Sequence, residues 1–298
     1  MTDIAETLKH RRPSLSDSSI TTYSSILRNL FKKIFPDQNL DLKKFDDTEK
    51  ILDFLHDVPP SRRKTILSAL VVLTGNTKYK ESMMSDISEY QNLISTQEKS
   101  QNQKEHWIHY DEVMTKLKEL EDNAKLLYRK KNLTMSDMQQ IQNYIILALL
   151  SGKYVAPRRS LDYVCMKVRN SKKDTDNYID GKKFIFNRYK TRKFSGVQEI
   201  DIPPALKKIL DKWIASNLHC EWLLFDNNSE PLTSVKLAQR LNRIFGSKLS
   251  TNALRHSYLQ KLYGNTVDLN DKISATMKAM GSSRSMLQNY VKRDSDSD

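Results

Sequence analysis

Residues in the second half of the chain have the types and spacing that favour binding of a phosphate. A helix that begins at Ser250 places Asn252 and Arg255, three residues apart, on one face of its first turn. The Arg255 guanidinium offers five donors in a rigid fork that suits a phosphate group. Upstream, Asp162 lies three residues after Arg159. The chemistry that this set favours is recognition of a phosphate.

A lysine and a tyrosine complete the set. Lys190 lies in the basic stretch RYKTRK, in the turn between two predicted strands. Tyr290 lies on a short predicted helix that follows Gly281.

The elements that must position these residues form two predicted domains joined by a linker. Residues 14–95 have the periodicity of amphipathic helices, with Ser16 as the first N-cap and Ser61 as the cap of a later helix that ends at Gly75. No residue from 95 to 106 is apolar, so this segment cannot contribute to a core. We therefore predict one domain at 1–95, a linker at 96–106 and a second domain at 107–298.

The second domain combines helices with short strands. Asp180-Gly181 between apolar runs predicts a β-hairpin, and apolar residues after Gly196 predict a third strand. Helical periodicity returns at 204–216, 234–245, 251–263, 269–280 and 283–291. The predicted fold class is mainly α, with a helical N-terminal bundle and an α+β domain that holds a small three-stranded antiparallel sheet. This order excludes a doubly wound nucleotide-binding fold, and no glycine-rich phosphate loop occurs.

The charge and hydropathy of the chain indicate which kind of partner it binds. The chain has 298 residues, with 49 Lys and Arg against 36 Asp and Glu, a net charge of +13. This excess makes nucleic acid the first partner to expect. No apolar run approaches the roughly 20 residues that span a bilayer, and the N-terminal residues lack a signal-peptide core. We expect an intracellular protein without a membrane partner.

Five motifs in this order resemble the tyrosine recombinase (integrase) family, which shares its catalytic domain with type IB topoisomerases. They are Arg159-Ser-Leu-Asp162, Lys190-Thr191, Asn252-Ala-Leu-Arg255, the Gly281-Ser282 step and Tyr290. The sequences PRRSLDY, NALRHSY and QNYVK are most similar to recombinases of large DNA viruses, virophages and eukaryotic mobile elements. Because the N-terminal helices also resemble the core-binding domain of the family, the resemblance covers nearly the whole chain.

The resemblance implies a site-specific enzyme that cleaves and rejoins DNA through a 3′-phosphotyrosine. Tyr290 is the implied nucleophile, Arg159 and Arg255 hold the non-bridging oxygens of the phosphate, and Lys190 protonates the departing 5′-oxygen. Because the intermediate keeps the phosphodiester energy, we expect no cofactor and no metal site. Lys193 is the second candidate for the role of Lys190.

Two positions depart from the family. Asn252 stands where the family has His, and its amide cannot exchange a proton near neutral pH. Ser282 stands where the family has His or Trp. Both remain candidate catalytic residues. The alternatives are therefore a type IB topoisomerase-like enzyme, a catalytically weakened DNA-binding protein on the same fold, and an RNA-binding or scaffold protein.

Double-stranded DNA is the expected partner. The predicted DNA contacts are basic residues and one histidine: Arg62, Arg63, Lys64, Arg158, Arg188, Arg192, Lys193 and His256. The resemblance implies self-assembly on DNA as a dimer or tetramer, wherever that DNA lies, in the cytoplasm, a viral factory or the nucleus.

Duplex binding should weaken steeply with salt, because Lys and Arg release the counterions condensed on DNA. For six to ten phosphate contacts, affinity should fall roughly 10³- to 10⁵-fold between 50 and 200 mM salt, linearly in a plot of log affinity against log salt. Fluorescence anisotropy with a labelled random-sequence duplex measures this. An affinity that stays level over this range would contradict the prediction.

Overall fold

A computed structural model describes residues 3–282, and the chain divides between residues 98 and 99 into two compact units. The division falls inside the segment predicted as a linker. Tyr290 lies outside the described residues. In the described part of the chain, no helix is long and apolar enough to cross a membrane.

The first unit is helical, with α1 (Ile4–Arg11), α2 (Asp17–Ile34), α3 (Thr48–Phe54), α4 (Pro60–Thr74), α5 (Thr77–Ser95) and a 3-10 helix at Leu42–Asp46. Ser16 accepts a hydrogen bond from the N–H of Ser19 at 3.2 Å, which confirms it as an N-cap. The prediction that Ser61 caps the later helix is wrong, because α4 already begins at Pro60. Proline is favoured at the first helical position, where its missing N–H would have no partner in any case. Gly75 ends α4 in the left-handed region, as predicted.

An ion pair lies against the apolar core of the first unit. Nη2 of Arg63 donates to Oδ1 of Asp86 at 2.7 Å, and Nη1 of Arg63 donates to the carbonyl oxygen of His56 at 2.9 Å. Asp86 is only 1% exposed. These internal partners give Arg63 a structural role, and its predicted contact with DNA stays a prediction.

The second unit contains α6 (Gln101–Glu105), α7 (Tyr110–Leu127), α8 (Met135–Leu150), α9 (Ser160–Val164), α10 (Arg192–Ser195), α11 (Pro204–Ala215), α12 (Ser234–Phe245), α13 (Thr251–Tyr263) and α14 (Thr266–Ala279). Helix α8 lies at the centre, because every residue from Tyr144 to Leu150 is buried and α7, α11 and α13 pack against it. Most predicted helices of this region are confirmed, and α14 begins three residues earlier than predicted. The helix predicted at 283–291 lies outside the described residues.

The sheet of the second unit has four strands in the order β1 (Met166–Lys167), β2 (Asn177–Asp180), β3 (Lys183–Phe186) and β4 (Gln198–Asp201). The predicted hairpin is confirmed, with Asp180 opposite Lys183. The predicted sheet of three antiparallel strands is corrected, because β1 adds a fourth strand that runs parallel to β2, with Met166 opposite Asn177. A strand of two residues is too short to leave an alternating pattern in the sequence.

Substituting Arg63 should destabilise the first unit far more than substituting its neighbour. Arg63→Ala leaves the Asp86 carboxylate buried without its partner, at a cost of about 3–5 kcal/mol. Arg62→Ala, the matched control, removes an exposed side chain and should cost less than about 0.5 kcal/mol.

The measurement is amide hydrogen exchange in α4 and α5 of the full chain. Tryptophan fluorescence does not serve here, because Trp107, Trp213 and Trp222 all lie in the second unit. Equal exchange rates in the two variants would contradict the structural role of Arg63.

Candidate active site

The candidate site is organised around the carboxyl group of Asp162, on the short helix α9. The Asp162 side chain is 4% exposed, and its Oδ2 accepts a hydrogen bond from Nε of Arg158 at 2.7 Å. Its other oxygen, Oδ1, is buried and has no hydrogen-bond partner among the described residues. Burial raises the pKa of Asp162, and the positive charges of Arg158, Arg159 and Arg255 oppose that rise. Arg158 contacts this carboxyl group directly, and Arg159 and Arg255, from two separate stretches of sequence, act on it through their charge.

Arg158 and Arg159 are neighbours in sequence but differ in what they contact. Besides Asp162, Arg158 donates through Nη1 to Oε1 of Gln198 at 2.9 Å, and its guanidinium lies 3.9 Å from the centre of the Phe186 ring. These contacts give Arg158 a structural role, and its predicted contact with DNA stays a prediction. Arg159 is the half-buried N-cap residue of α9, and no described residue accepts a hydrogen bond from its guanidinium. Its donors are free for a ligand.

Helix α13 carries Arg255, whose charge acts on Asp162. Ser250 caps this helix by accepting a hydrogen bond from the N–H of Ala253 at 3.3 Å. Gly152, which follows α8, has φ 82°, and a Cβ there would overlap the ring of Tyr258. Close packing of α13 on that backbone therefore depends on glycine.

Asn252 contacts Arg255 directly. Nη1 of Arg255 donates to Oδ1 of Asn252 at 3.3 Å, as the spacing of three residues predicts for one helix face. The amide oxygen thereby orients the guanidinium, while the Nδ2 donors of the exposed Asn252 stay open. His256 is also exposed, and its ring centre lies 6.3 Å from that of Trp107.

Lys190 lies in the connection between β3 and β4, which confirms its predicted place between two strands. The loop is closed by a hydrogen bond from the Tyr189 hydroxyl to the carbonyl oxygen of Gly196, at 2.6 Å. Lys190 is exposed. The loop also carries three of the predicted DNA contacts, Arg188, Arg192 and Lys193, and none of these four cations forms an ion pair with a described residue.

The other predicted site residues have no described contact with Asp162, Arg159 or Arg255. Ser282 is half-buried after α14, and its N–H donates to the carbonyl oxygen of Met277 at 2.8 Å. No described contact links Ser282 to the arginines. In the first unit, Nζ of Lys64 lies 3.1 Å from the centre of the Tyr90 ring, and Arg62 is exposed. The nucleophile candidate, Tyr290, lies outside the described residues and stays a prediction.

Sequence reasoning missed Gln198 and Asn177. Gln198 holds Arg158, as described above. Asn177 is fully buried at the start of β2, where it accepts hydrogen bonds from the N–H groups of Asn187 and Arg188. The available signal was its polarity at the start of an apolar strand, since a buried amide must find partners. Among residues 3–282, no three His, Cys, Asp or Glu side chains come together as a metal site, so we assign no metal ligands.

Comparison with solved structures finds a likeness to a DNA-bound recombinase. No family model and no curated protein matches the sequence. A solved structure of the XerH site-specific recombinase, bound to its difH substrate in a pre-cleavage complex, is similar over 98% of this chain and 92% of that chain. The identity is 13% and the TM-score is 0.36, and a likeness of this degree does not identify a function.

Removing Arg158 should destabilise the second unit in a pH-dependent way. Its charge is the largest influence that opposes the raised pKa of Asp162, so in Arg158→Met that pKa rises further. An acid whose pKa is higher in the folded than in the unfolded state lowers stability above that pKa, and the loss disappears as falling pH protonates the group. We therefore expect a deficit of about 3 kcal/mol at pH 8 that shrinks towards pH 5.

Urea unfolding, followed by tryptophan fluorescence, measures this deficit. Arg159→Met is the matched control, since Arg159 has no hydrogen-bond partner to lose, and its deficit should be much smaller. A deficit for Arg158→Met that grows as the pH falls would contradict the assignment.

Proposed function

We propose that this protein is a tyrosine recombinase, a DNA strand transferase that cleaves and rejoins duplex DNA at specific sites. The observation that carries the proposal is that the charges of Arg159 and Arg255, which come from separate stretches of sequence, both act on the buried carboxyl group of Asp162. Two guanidinium groups from separate helical elements near one buried carboxyl group, one of them without a described hydrogen-bond acceptor, suit the two non-bridging oxygens of a phosphodiester.

Arg159, Arg255 and Asn252 together form the proposed phosphate clamp. Charge grows on the non-bridging oxygens as a nucleophile adds to phosphorus, and donors fixed in advance stabilise it without reorganising. Asn252 accepts a hydrogen bond from Arg255, while the negative charge of Asp162 offsets the positive charges of Arg159 and Arg255. The open Nδ2 of Asn252 supplies one further, neutral donor.

Lys190 and Tyr290 supply the two reacting groups. The phenolic oxygen of Tyr290 loses its proton to water and forms a bond to the scissile phosphorus. The bond from phosphorus to the 5′-oxygen breaks, its electron pair stays on that oxygen, and the Lys190 ammonium supplies the proton. One phosphodiester replaces another, so the reverse attack by a 5′-hydroxyl rejoins a strand without an external energy source.

The remaining basic residues are proposed as DNA contacts. Arg188, Arg192 and Lys193 surround Lys190 on one loop, where they can fix the backbone on either side of the scissile phosphate. Arg62, Lys64 and His256 are the contacts proposed outside that loop. In this proposal residues 1–95 bind DNA, residues 107–298 carry the chemistry, and copies assemble on DNA as a dimer or tetramer.

One observation keeps a second candidate open, a DNA-binding protein with weakened catalysis. Asn252 uses its oxygen to hold Arg255, and an amide cannot move a proton. A topoisomerase-like enzyme would form the same covalent intermediate but would not join two sites.

Covalent capture tests the function. Wild-type protein is incubated with a library of duplexes that carry a nick 3′ of a randomised segment, so that a short cleaved strand diffuses away and the adduct accumulates. We expect a covalent protein–DNA complex that survives SDS, with mass spectrometry placing a 3′-phosphate on Tyr290. Sequencing the captured DNA then gives the preferred site.

Tyr290→Phe is the matched control, because it removes only the hydroxyl. It should bind duplex DNA as wild type does and form no adduct. An adduct on another residue, or one formed by Tyr290→Phe, would contradict the nucleophile assignment. A wild-type protein that binds DNA and forms no adduct favours the weakened DNA-binding protein.

A further inference from the structure

One buried amide, that of Asn177, joins the helix that follows Arg159 to the loop that carries Lys190. Its Nδ2 donates to the carbonyl oxygen of Asp162 at 2.9 Å and to that of Arg188 at 2.8 Å. Its Oδ1 accepts from the N–H groups of Asn187 at 2.8 Å and Arg188 at 2.6 Å. Two donors and two lone pairs are all that an amide side chain offers, so each is used.

The two ends of this bridge are held unequally. Helix α9, at one end, is anchored by the buried side chains of Tyr163 and Val164 and by the ion pair of Asp162 with Arg158. The loop at the other end is exposed at Lys190 and at Phe194, which is 79% exposed, and the hydrogen bond from Tyr189 to Gly196 lies within the loop itself. Loss of the amide should therefore free the loop and leave α9 in place.

The strand itself does not need an amide at this position. Asn177 begins β2 opposite Met166, and its backbone would keep that pairing with an apolar side chain. An apolar residue would, however, leave two carbonyl oxygens and two N–H groups without these buried partners, and buried groups left unpaired are costly. The amide is therefore needed for its partners outside the strand. These partners lie in α9, which follows Arg159, and in the loop that carries Lys190.

Given the proposed function, on which this inference rests, we propose that Asn177 is a positioning residue for catalysis. It fixes the base of the Lys190 loop against α9, so that the ammonium group reaches the 5′-oxygen of the phosphate held by Arg159. The part of the reaction that depends on Asn177 is the proton transfer to the leaving group.

Asn187 provides a matched control. It is also a buried asparagine at a strand end, 8% exposed, but its Nδ2 donates to the carbonyl oxygens of Lys173 and Asp176 at 2.8 and 2.7 Å. These bonds tie the start of the Lys190 loop to the connection between β1 and β2 and do not reach α9. Asn187→Ala therefore removes a comparable set of buried hydrogen bonds without cutting the bridge.

Trypsin cleavage of the full chain tests the bridge without any assay of activity. The loop contains Arg188, Lys190, Arg192 and Lys193, and trypsin cuts after each of these residue types. Asn177→Ala should be cut at these positions several-fold faster than wild type, and Asn187→Ala should not. Asn177→Ser, which keeps one donor and one acceptor, serves if the alanine variant does not fold. Unchanged cleavage of the loop in a folded Asn177 variant would overturn the proposal.

A leaving group that needs no proton tests the link to Lys190. The substrate is the captured duplex with sulfur in place of the 5′-oxygen at the scissile phosphate, because a thiolate leaves without protonation. On ordinary DNA, Asn177→Ala should form adduct about 10²-fold more slowly than wild type, the usual scale of a lost general acid. On the sulfur substrate it should approach the wild-type rate, and Asn187→Ala should show no such difference between substrates.

Equal slowing of Asn177→Ala on both substrates would overturn the positioning role, since a disturbed phosphate clamp or fold does not depend on the leaving group. If wild type forms no adduct on either substrate, the proposed function fails. The trypsin experiment then decides by itself whether Asn177 holds the loop.

Discussion

The carboxyl group of Asp162 is buried in a position where a charge is stable only if cations surround it. Oδ2 is bound by Arg158, while Oδ1 has no hydrogen-bond partner among the described residues. Because only one oxygen is bound, the adjacent residues Arg158 and Arg159 have different roles. Arg158 is held by Asp162 and by contacts with the sheet, whereas Arg159 and Arg255 lie within the influence of Asp162 with donors to spare.

The sheet takes part in this arrangement through amides rather than through charges. Asn177 connects α9 to the start of the Lys190 loop, Gln198 on β4 holds Arg158, and Phe186 on β3 lies under its guanidinium. Neutral partners of this kind orient a cation without neutralising it. The net positive charge near Asp162 therefore stays available for a polyanion.

The sequence predicts the elements better than it predicts the partners of single side chains. Helices α8 and α13 and the Asp180-Gly181 hairpin follow from periodicity and turn chemistry, which are local. Strand β1 and the bridge by Asn177 depend on residues distant in the chain, and no local pattern records such pairing. Arg63 and Arg158 show the same limit. No local pattern in the sequence shows which arginine of the pairs Arg62-Arg63 and Arg158-Arg159 binds a buried carboxylate, and only the fold shows it.

The most direct measurement of the central claim removes the charge that Arg159 is proposed to hold. In a methylphosphonate, a methyl group replaces one non-bridging oxygen of the scissile phosphate, so the charge on that oxygen is gone. On ordinary DNA, Arg159→Ala should form adduct about 10²–10³-fold more slowly than wild type, as when one donor to the developing charge is lost. On the methylphosphonate duplex most of that loss should disappear, and Arg158→Ala should show no such recovery. An equal loss for Arg159→Ala on both substrates would contradict the claim that Arg159 holds the phosphate.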